Sequence, residues 1–239
     1  MGVKMKLELF GCSECKNRTQ NQIFCNLSQG EIETISKGKS ENFYPKGQVI
    51  FHEGSRGNGL YCVYKGKVKV YKSGEKGKEQ IIRLAKEGEV LGYRSLLSNE
   101  LYSASAAVIE DSVVCFISKG QFLEVLKQNS ELSLETLQLL SRDLRESEKK
   151  IVNITQKTVV ERIAESLLVL KEKFGLDQDG KTLNATLSRR EIGNLAGVST
   201  ETTIRTLSEL NKTDILNLNG KQIEFLNVNK LLSLANIRD

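Results

Sequence analysis

The sequence predicts an α+β chain: an antiparallel β-roll, a long helix and a C-terminal winged helix-turn-helix. Three stretches carry this expectation. Glycine-punctuated β-rich runs fill Phe43 to Phe116, a leucine-spaced helical run follows from Ser133 to Ile154, and TLSRREIGNLAGVSTETTIRTLSEL spans Thr186 to Leu210.

The roll is read from FYPKGQVIFHEG, GLYCVYKGKVKVYK, EQIIRLAKEGEVLGY and SVVCFIS, short β-rich runs bounded by turn signals. Several such strands in succession close into an antiparallel roll or barrel. The chain's one proline, Pro45, falls in the first turn. His52, the sole histidine, sits beside Glu53 and Gly54 at a strand end. One imidazole with no partner cluster reads as structural rather than as a ligand.

From Ser133 the period changes. Leu134, Leu137, Leu140, Leu144, Ile151 and Ile154 recur at spacings of three, four or seven, close to a coiled-coil seam. Such a helix could pack on its own β-domain, but its length and flanking charges favour a dimer contact. Thr158 and Glu161 then form a capping box that opens a helix with Ile163, Leu167, Leu170 and Phe174 on its inner face.

The C-terminal signal is a second capping box, Ser188 to Glu191, opening a helix of about Arg189 to Ala196. Gly197 offers a left-handed residue at its end, and Ser199 caps a second helix. In that second helix Thr203, Leu207 and Leu210 share one face, while Thr200, Glu201, Ile204, Arg205 and Ser208 share the other. Glu and Arg four apart suit base edges, since Arg pairs two guanine acceptors and Glu accepts from a cytosine amino group. The alternation Ile215, Leu216, Leu218 and Ile223, Phe225, Val228 around Asn219-Gly220 predicts a hairpin, the wing.

Composition bounds the rest. Of 239 residues, Lys+Arg number 35 and Asp+Glu 30, a net charge of +5 that implies a local basic patch. Arg189, Arg190, Arg205, Lys212 and Lys221 are candidates for phosphate contacts. There is no apolar run of membrane length and no signal-peptide pattern, so a cytoplasmic location and no membrane contact are expected. There is no GxGxxG, no P-loop and no paired nucleophile and base, so no enzyme is expected. Five cysteines without an export signal argue for thiols, ligands or buried fillers. Cys12 and Cys15, at C-x2-C spacing, can turn both sulfurs toward one metal; zinc, a reversible disulfide or an iron–sulfur centre would use the same pair. Cys62 reads as a core residue in its apolar strand.

From about Leu27 onward the order of parts resembles the CRP/FNR regulators, bacterial transcription factors with a cyclic-nucleotide-binding-type β-roll, a dimerisation helix and a winged helix. YPKGQVIFHEG, GLYCVYKGKVKVY, GEVLGYRSLL and the helix-turn-helix carry the resemblance. It implies an N-terminal cysteine arm (1–29), a sensor roll (30–130), a dimerisation helix (131–156) and a DNA-binding domain (157–239). It also implies a homodimer on a near-palindromic duplex, with RNA polymerase as a further partner. Ser188, Arg189, Arg190, Ser199, Thr200, Glu201, Thr202, Ile204 and Arg205 are the expected DNA-contacting set. By that resemblance Glu201 and Arg205 read the core of the half-site, while Thr200 and Ile204 tune its outer bases.

The resemblance leaves several inputs open. Cyclic-AMP-binding members use a Gly-Glu pair and an Arg-Ser pair; Gly88 and Glu89 match the first, but Tyr102-Ser103 stands in place of the second. A phosphodiester without its cation is costly, so cyclic AMP is disfavoured and Gly88 and Glu89 read as turn residues. Cys115 falls where oxygen-sensing FNR-type members carry their fourth ligand, and the resemblance implies a [4Fe–4S] cluster on Cys12, Cys15, Cys25 and Cys115. Cys25 follows Cys15 at a wider spacing than in those members. In FNR-type relatives, loss of the cluster weakens the dimer. The alternatives are a metal-free or effector-responsive regulator, and an iron–sulfur electron-transfer component using the winged helix to bind protein.

Overall fold

The computed structural model describes residues 12, 15–17, 23–74 and 77–236; the rest of the expected N-terminal arm lies outside the described residues. The chain divides into two compact units, 1–70 with 85–144 and 71–84 with 145–239.

In the first unit a short helix α1 (Gln29–Ser36) precedes eight strands: β1 (Ser40–Tyr44), β2 (Val49–Phe51), β3 (Gly59–Lys65), β4 (Lys67–Ser73), β5 (Glu79–Lys86), β6 (Val90–Leu91), β7 (Ser105–Val108) and β8 (Ser112–Ser118). One turn of helix, α2 (Tyr93–Ser98), interrupts them. They form two four-stranded sheets, β1-β8-β3-β6 and β2-β7-β4-β5, the antiparallel roll that the sequence predicts. Far along the β4–β5 hairpin, Tyr71–Leu84 groups with the second unit.

Strand alternation gives the roll two cores. Because β3 pairs antiparallel with β8, Leu60 faces Ile117 and Cys62 faces Cys115, while Tyr61 faces Phe116 and Val63 faces Val114. Leu60 and Ile117 join a core that includes Ile23, Phe24, Leu27, Ile32, Ile35 and Phe122, so the arm and α1 are packed on this side. Val63 instead joins Phe51, Val68, Leu91 and Tyr102 in a second core inside the roll.

Two helices close the unit: α3 (Lys119–Gln128) and the first half of α4 (Ser130–Gln156). The helix starts three residues before the predicted Ser133, because Asn129 Oδ1 accepts the N–H of Leu132 at 2.8 Å and caps it there. Leu132, Thr136 and Leu139 are buried, and the Tyr93 hydroxyl donates to Asp143 one turn further on. Each fully buried leucine contributes about 1.5–3 kcal/mol. The predicted row lies on another side: Leu134, Leu137, Leu144, Ile151 and Ile154 are 50–64% exposed, with Leu140 half-buried.

The second unit holds α5 (Val159–Phe174), α6 (Arg189–Ala196), α7 (Thr200–Lys212), β9 (Leu216–Asn219), β10 (Gln222–Phe225) and α8 (Val228–Ala235). Ile163, Leu167, Leu170 and Phe174 of α5 are buried, the inner face expected from their spacing. Lys157 Nζ ties the start of α5 to both Glu165, at 3.0 Å, and the Ala235 carbonyl, at 2.9 Å. Register places Asn219 opposite Gln222, so the wing turns at Gly220-Lys221, one residue later than predicted. Among the described residues no helix is long and apolar enough to cross a membrane.

The α5 capping box carries a pH signature. Bonds from Thr158 hold the Glu161 carboxyl at about 2, well below its ordinary 4.5. A carboxyl depressed in the folded state stabilises the fold above its unfolded pKa and loses that contribution as pH falls through the folded one. Glu161→Gln is therefore expected to lower the melting temperature at pH 7, with the gap to the native chain closing between pH 4.5 and 2 in circular-dichroism melts.

Candidate nucleic-acid interface and thiol cavity

Caps and one close approach build the helix pair α6–α7. The Ser188 N–H donates to Glu191 Oε2 at 2.8 Å, and the Glu191 N–H donates back to Ser188 Oγ at 3.2 Å. Gly197 ends α6 in the left-handed conformation at φ 66°, as the sequence predicts. Ser199 Oγ then accepts the Thr202 N–H at 3.2 Å and starts α7. The helices meet at Gly193, where a Cβ would stand 2.7 Å from Thr203 Oγ1 and 2.8 Å from the Val198 carbonyl oxygen. Only glycine lets the two backbones come this near.

The helix α7 has two faces. Thr203, Thr206, Leu207 and Leu210 are buried, whereas Glu201, Ile204, Arg205 and Ser208 are exposed and Thr200 and Thr202 lie at the margin. Ile204 alone is 52% exposed, an apolar side chain left in a polar row. Bonds from its own backbone N–H and from Ser199 hold the Glu201 carboxyl below its usual range, so it is charged at neutral pH. Among the described residues no ion pair joins Arg205 to Glu201. Both side chains are thus available to base edges.

The wing is braced from both helices. Arg189 Nη2 donates to the Gly220 carbonyl at 2.8 Å, and Asn211 Oδ1 accepts the Leu218 N–H at 2.8 Å. Residues 181–183 lie beside the wing through an isolated bridge of Thr182 to Glu224, with the Leu183 N–H donating to the Ile223 carbonyl at 2.8 Å. Arg189 is half-buried by its bracing bond, and burial lowers its pKa. Arg190, Lys212 and Lys221 are exposed.

The first unit contains a second feature, a cavity of about 50 Å³ lined by Cys12, Cys15, Cys62 and Cys115, by Lys39, Asn17 and Tyr64, and by apolar residues of the arm core. Three of the four cysteines expected to act together meet here; Cys25 is not among the lining residues. Its Sγ donates instead to Glu135 Oε1 on α4 at 3.7 Å. Burial pushes the Cys115 thiol up to about 12, with Lys39 opposing and Glu41, Cys15 and Cys12 adding to the rise. Burial also raises Cys62, helped by Cys115, Cys12 and Cys15. Lys39 pairs with Glu41 at 2.6 Å in a nearly buried ion pair, and despite desolvation its pKa is raised by that bond and by the nearby thiols. Among the described residues no three His, Cys, Asp or Glu side chains converge tightly enough to hold a metal ion. The sulfurs ring a space rather than a point.

Cys62, which sequence reasoning assigned to the core, packs against that core and also lines this cavity. The available signal was its parity: Cys62 and Leu60 share a strand face, and so do Cys115 and Ile117. Gly88 and Glu89 do form a turn, with Gly88 at φ 83° and the Glu89 N–H donating to the Lys86 carbonyl at 3.1 Å. Tyr102, which stands where the arginine would be, is 4% exposed, stacks on Phe51 at 4.2 Å and donates to the Gly59 carbonyl at 3.1 Å. His52 is exposed in its turn.

Residues 41–129 match the description "Cyclic nucleotide-binding domain" and residues 161–234 match "Crp-like helix-turn-helix domain". The chain is 30% identical over 228 residues to the fumarate and nitrate reduction regulatory protein of Yersinia pestis, covering 94% of this chain and 90% of that relative. It is 27% identical over 203 residues to the CRP-like cAMP-activated global transcriptional regulator of Mycobacterium tuberculosis, covering 84% and 90%. The solved structure of FixK2 from Bradyrhizobium japonicum superposes with a TM-score of 0.76 at 26% identity, covering 84% of this chain and 99% of that one.

Gly193→Val is expected to destabilise the C-terminal unit by about 1–3 kcal/mol through overpacking against Thr203 and the Val198 carbonyl. Urea unfolding of the full chain, followed by circular dichroism, reads the loss.

Proposed function

The chain belongs to the CRP/FNR family of transcription regulators, and from that premise we propose that it binds a near-palindromic duplex as a homodimer and couples binding to oxygen or redox state through an iron–sulfur cluster. As a member of that family it is a DNA-binding regulator and not an enzyme. The observation that carries the proposal is the exposed row of Glu201, Ile204 and Arg205 over a fully packed inner face.

Each half of α7 has a stated task in this reading. Arg205 forks onto guanine, Glu201 accepts from cytosine, and Thr200, Thr202 and Ile204 meet the outer bases. Ser188, Ser199, Arg190, Lys212 and Lys221 contact phosphates, while Arg189 holds the wing in position beside them. The exposed row Leu134, Leu137, Leu144, Ile151 and Ile154 is the seam for a second copy. A two-fold pair then presents two reading helices one turn of DNA apart. The family resemblance adds RNA polymerase as the downstream partner and the cytoplasm as the location.

The input rests on the thiol cavity. A space lined by several sulfurs and mostly apolar side chains, with Lys39, Asn17 and Tyr64 at its wall, fits an iron–sulfur cluster, with Cys12, Cys15 and Cys115 among its ligands. When bound, such a cluster supplies a redox-active centre whose stability depends on its thiolates and on solvent exposure. These cysteines would link the arm to β8 and, through the shared core, to Leu132 and Leu139 of α4. Holding the arm in place thus biases the helix that carries the seam, an ordinary population shift. A cyclic nucleotide fits less well, because the Tyr102 ring, stacked on Phe51, fills the place of the phosphate's cation.

Duplexes recovered from a random pool by selection on the native protein, then measured by fluorescence anisotropy, test the output. Arg205→Ala is expected to weaken binding about 10- to 100-fold, or about 1–3 kcal/mol. Equal affinity in that variant would overturn the assignment. Pairing Leu137→Glu with Ile151→Glu is expected to shift the mass of the particle in light scattering from dimer to monomer without loss of helix signal. Protein purified without oxygen is expected to be brown and to contain iron, and to bleach in air; calorimetric titration with cyclic AMP is expected to give no heat.

A further inference from the structure

Resting on the iron–sulfur reading above, we infer that the cluster's fourth ligand is Cys62 and not Cys25. The first ground is register. Cys62 on β3 stands directly opposite Cys115 on β8. Residues so placed point to the same side of the sheet with Cβ atoms about 4.5–5.5 Å apart. That side is the one on which the arm packs, since Leu60 and Ile117, two residues away on each strand, belong to the core containing Ile23, Phe24 and Leu27.

The second ground is the cavity. Cys12, Cys15, Cys62 and Cys115 all line it, so four thiols ring one space of about 50 Å³. Lys39 in the same lining is already paired with Glu41, the residue opposite Cys115 on the neighbouring strand, so the ground is the convergence of the thiols and not a free charge.

The third ground is what holds Cys25 elsewhere. Its neighbours Phe24 and Leu27 line the cavity, but Cys25 does not, and its Sγ donates to Glu135 Oε1 on α4 at 3.7 Å. Asn26 Nδ2 donates to Glu131 Oε1 at 2.9 Å and to Glu135 Oε1 at 3.1 Å, fixing the segment to α4. Carrying Cys25 to the cavity would break these contacts, whereas Cys62 is already there. The wide gap between Cys15 and Cys25 is then no anomaly, because Cys25 lies outside the ligand set.

The test uses the full chain reconstituted with iron and sulfide under nitrogen. Five cysteines are present, so Cys25→Ser leaves four. That variant is expected to keep the native iron and sulfide content and resonance Raman bands of an all-thiolate cluster. Cys62→Ser and Cys12→Ser are both expected to lose their iron, with an unchanged circular-dichroism spectrum. Should Cys62→Ser not fold, Cys25→Ser decides alone, since all-thiolate ligation in it requires Cys62. Loss of iron from Cys25→Ser, Raman bands of mixed ligation in it, or retention of iron by Cys62→Ser each overturns the inference and leaves the iron–sulfur reading standing. A native chain that takes up no iron overturns both.

Discussion

The pairing of β3 with β8 is the constraint on which the first unit depends. A strand has two faces, and a slip of one residue exchanges them. In the observed register Leu60 and Cys62 point to the arm while Tyr61 and Val63 point into the roll. Slipped by one, the pair would drive Tyr61 and Phe116 out of their contact at 5.2 Å and take two thiols into an aromatic interior. The alternation therefore separates an aromatic filling on one side from a thiol-lined space on the other, using the same two strands.

Helix α4 obeys a related rule at a different period. Its inner residues Leu132, Thr136 and Leu139 follow one side of the helix onto the roll's outer core. The leucine and isoleucine row most visible in the sequence is not this side. That row is left standing in solvent on a single chain, at exposures that no isolated helix of this length gains anything by having. Among the described residues only the inner of the two apolar stripes is covered, and the outer one is the seam proposed for a second copy.

Local chemistry was legible from the sequence and distant pairing was not. The capping boxes at Thr158 and Ser188, the left-handed Gly197 and the two faces of α7 depend on neighbours within four residues, and each is where the pattern places it. Asn129 escaped because a cap followed by Ser-Glu-Leu-Ser lacks the acidic partner that makes a capping box recognisable. The residue that Cys62 faces was hidden for a deeper reason. The apolar strand of Cys62 reads as core whichever strand lies beside it, and only the pairing with β8 reveals that a second cysteine stands across from it. Tyr102 shows the complement: the sequence reveals the missing arginine, and the structure reveals the ring stacked in its stead. Arg189, read as a phosphate contact, also serves as a brace, since the wing it reaches is distant in sequence.

That brace bears on how tightly the reading head could grip. With Arg189 fastened to Gly220 and Asn211 to Leu218, the hairpin and both helices are locked as one piece before any ligand arrives. Association then freezes few internal rotations, so less of the contact energy is lost to ordering. In the duplex reading proposed above, the same stiffness would remove tolerance: a tip that cannot flex would have to find the sugar-phosphate rail at one fixed offset from the groove, so that local groove width would be read without a base being touched.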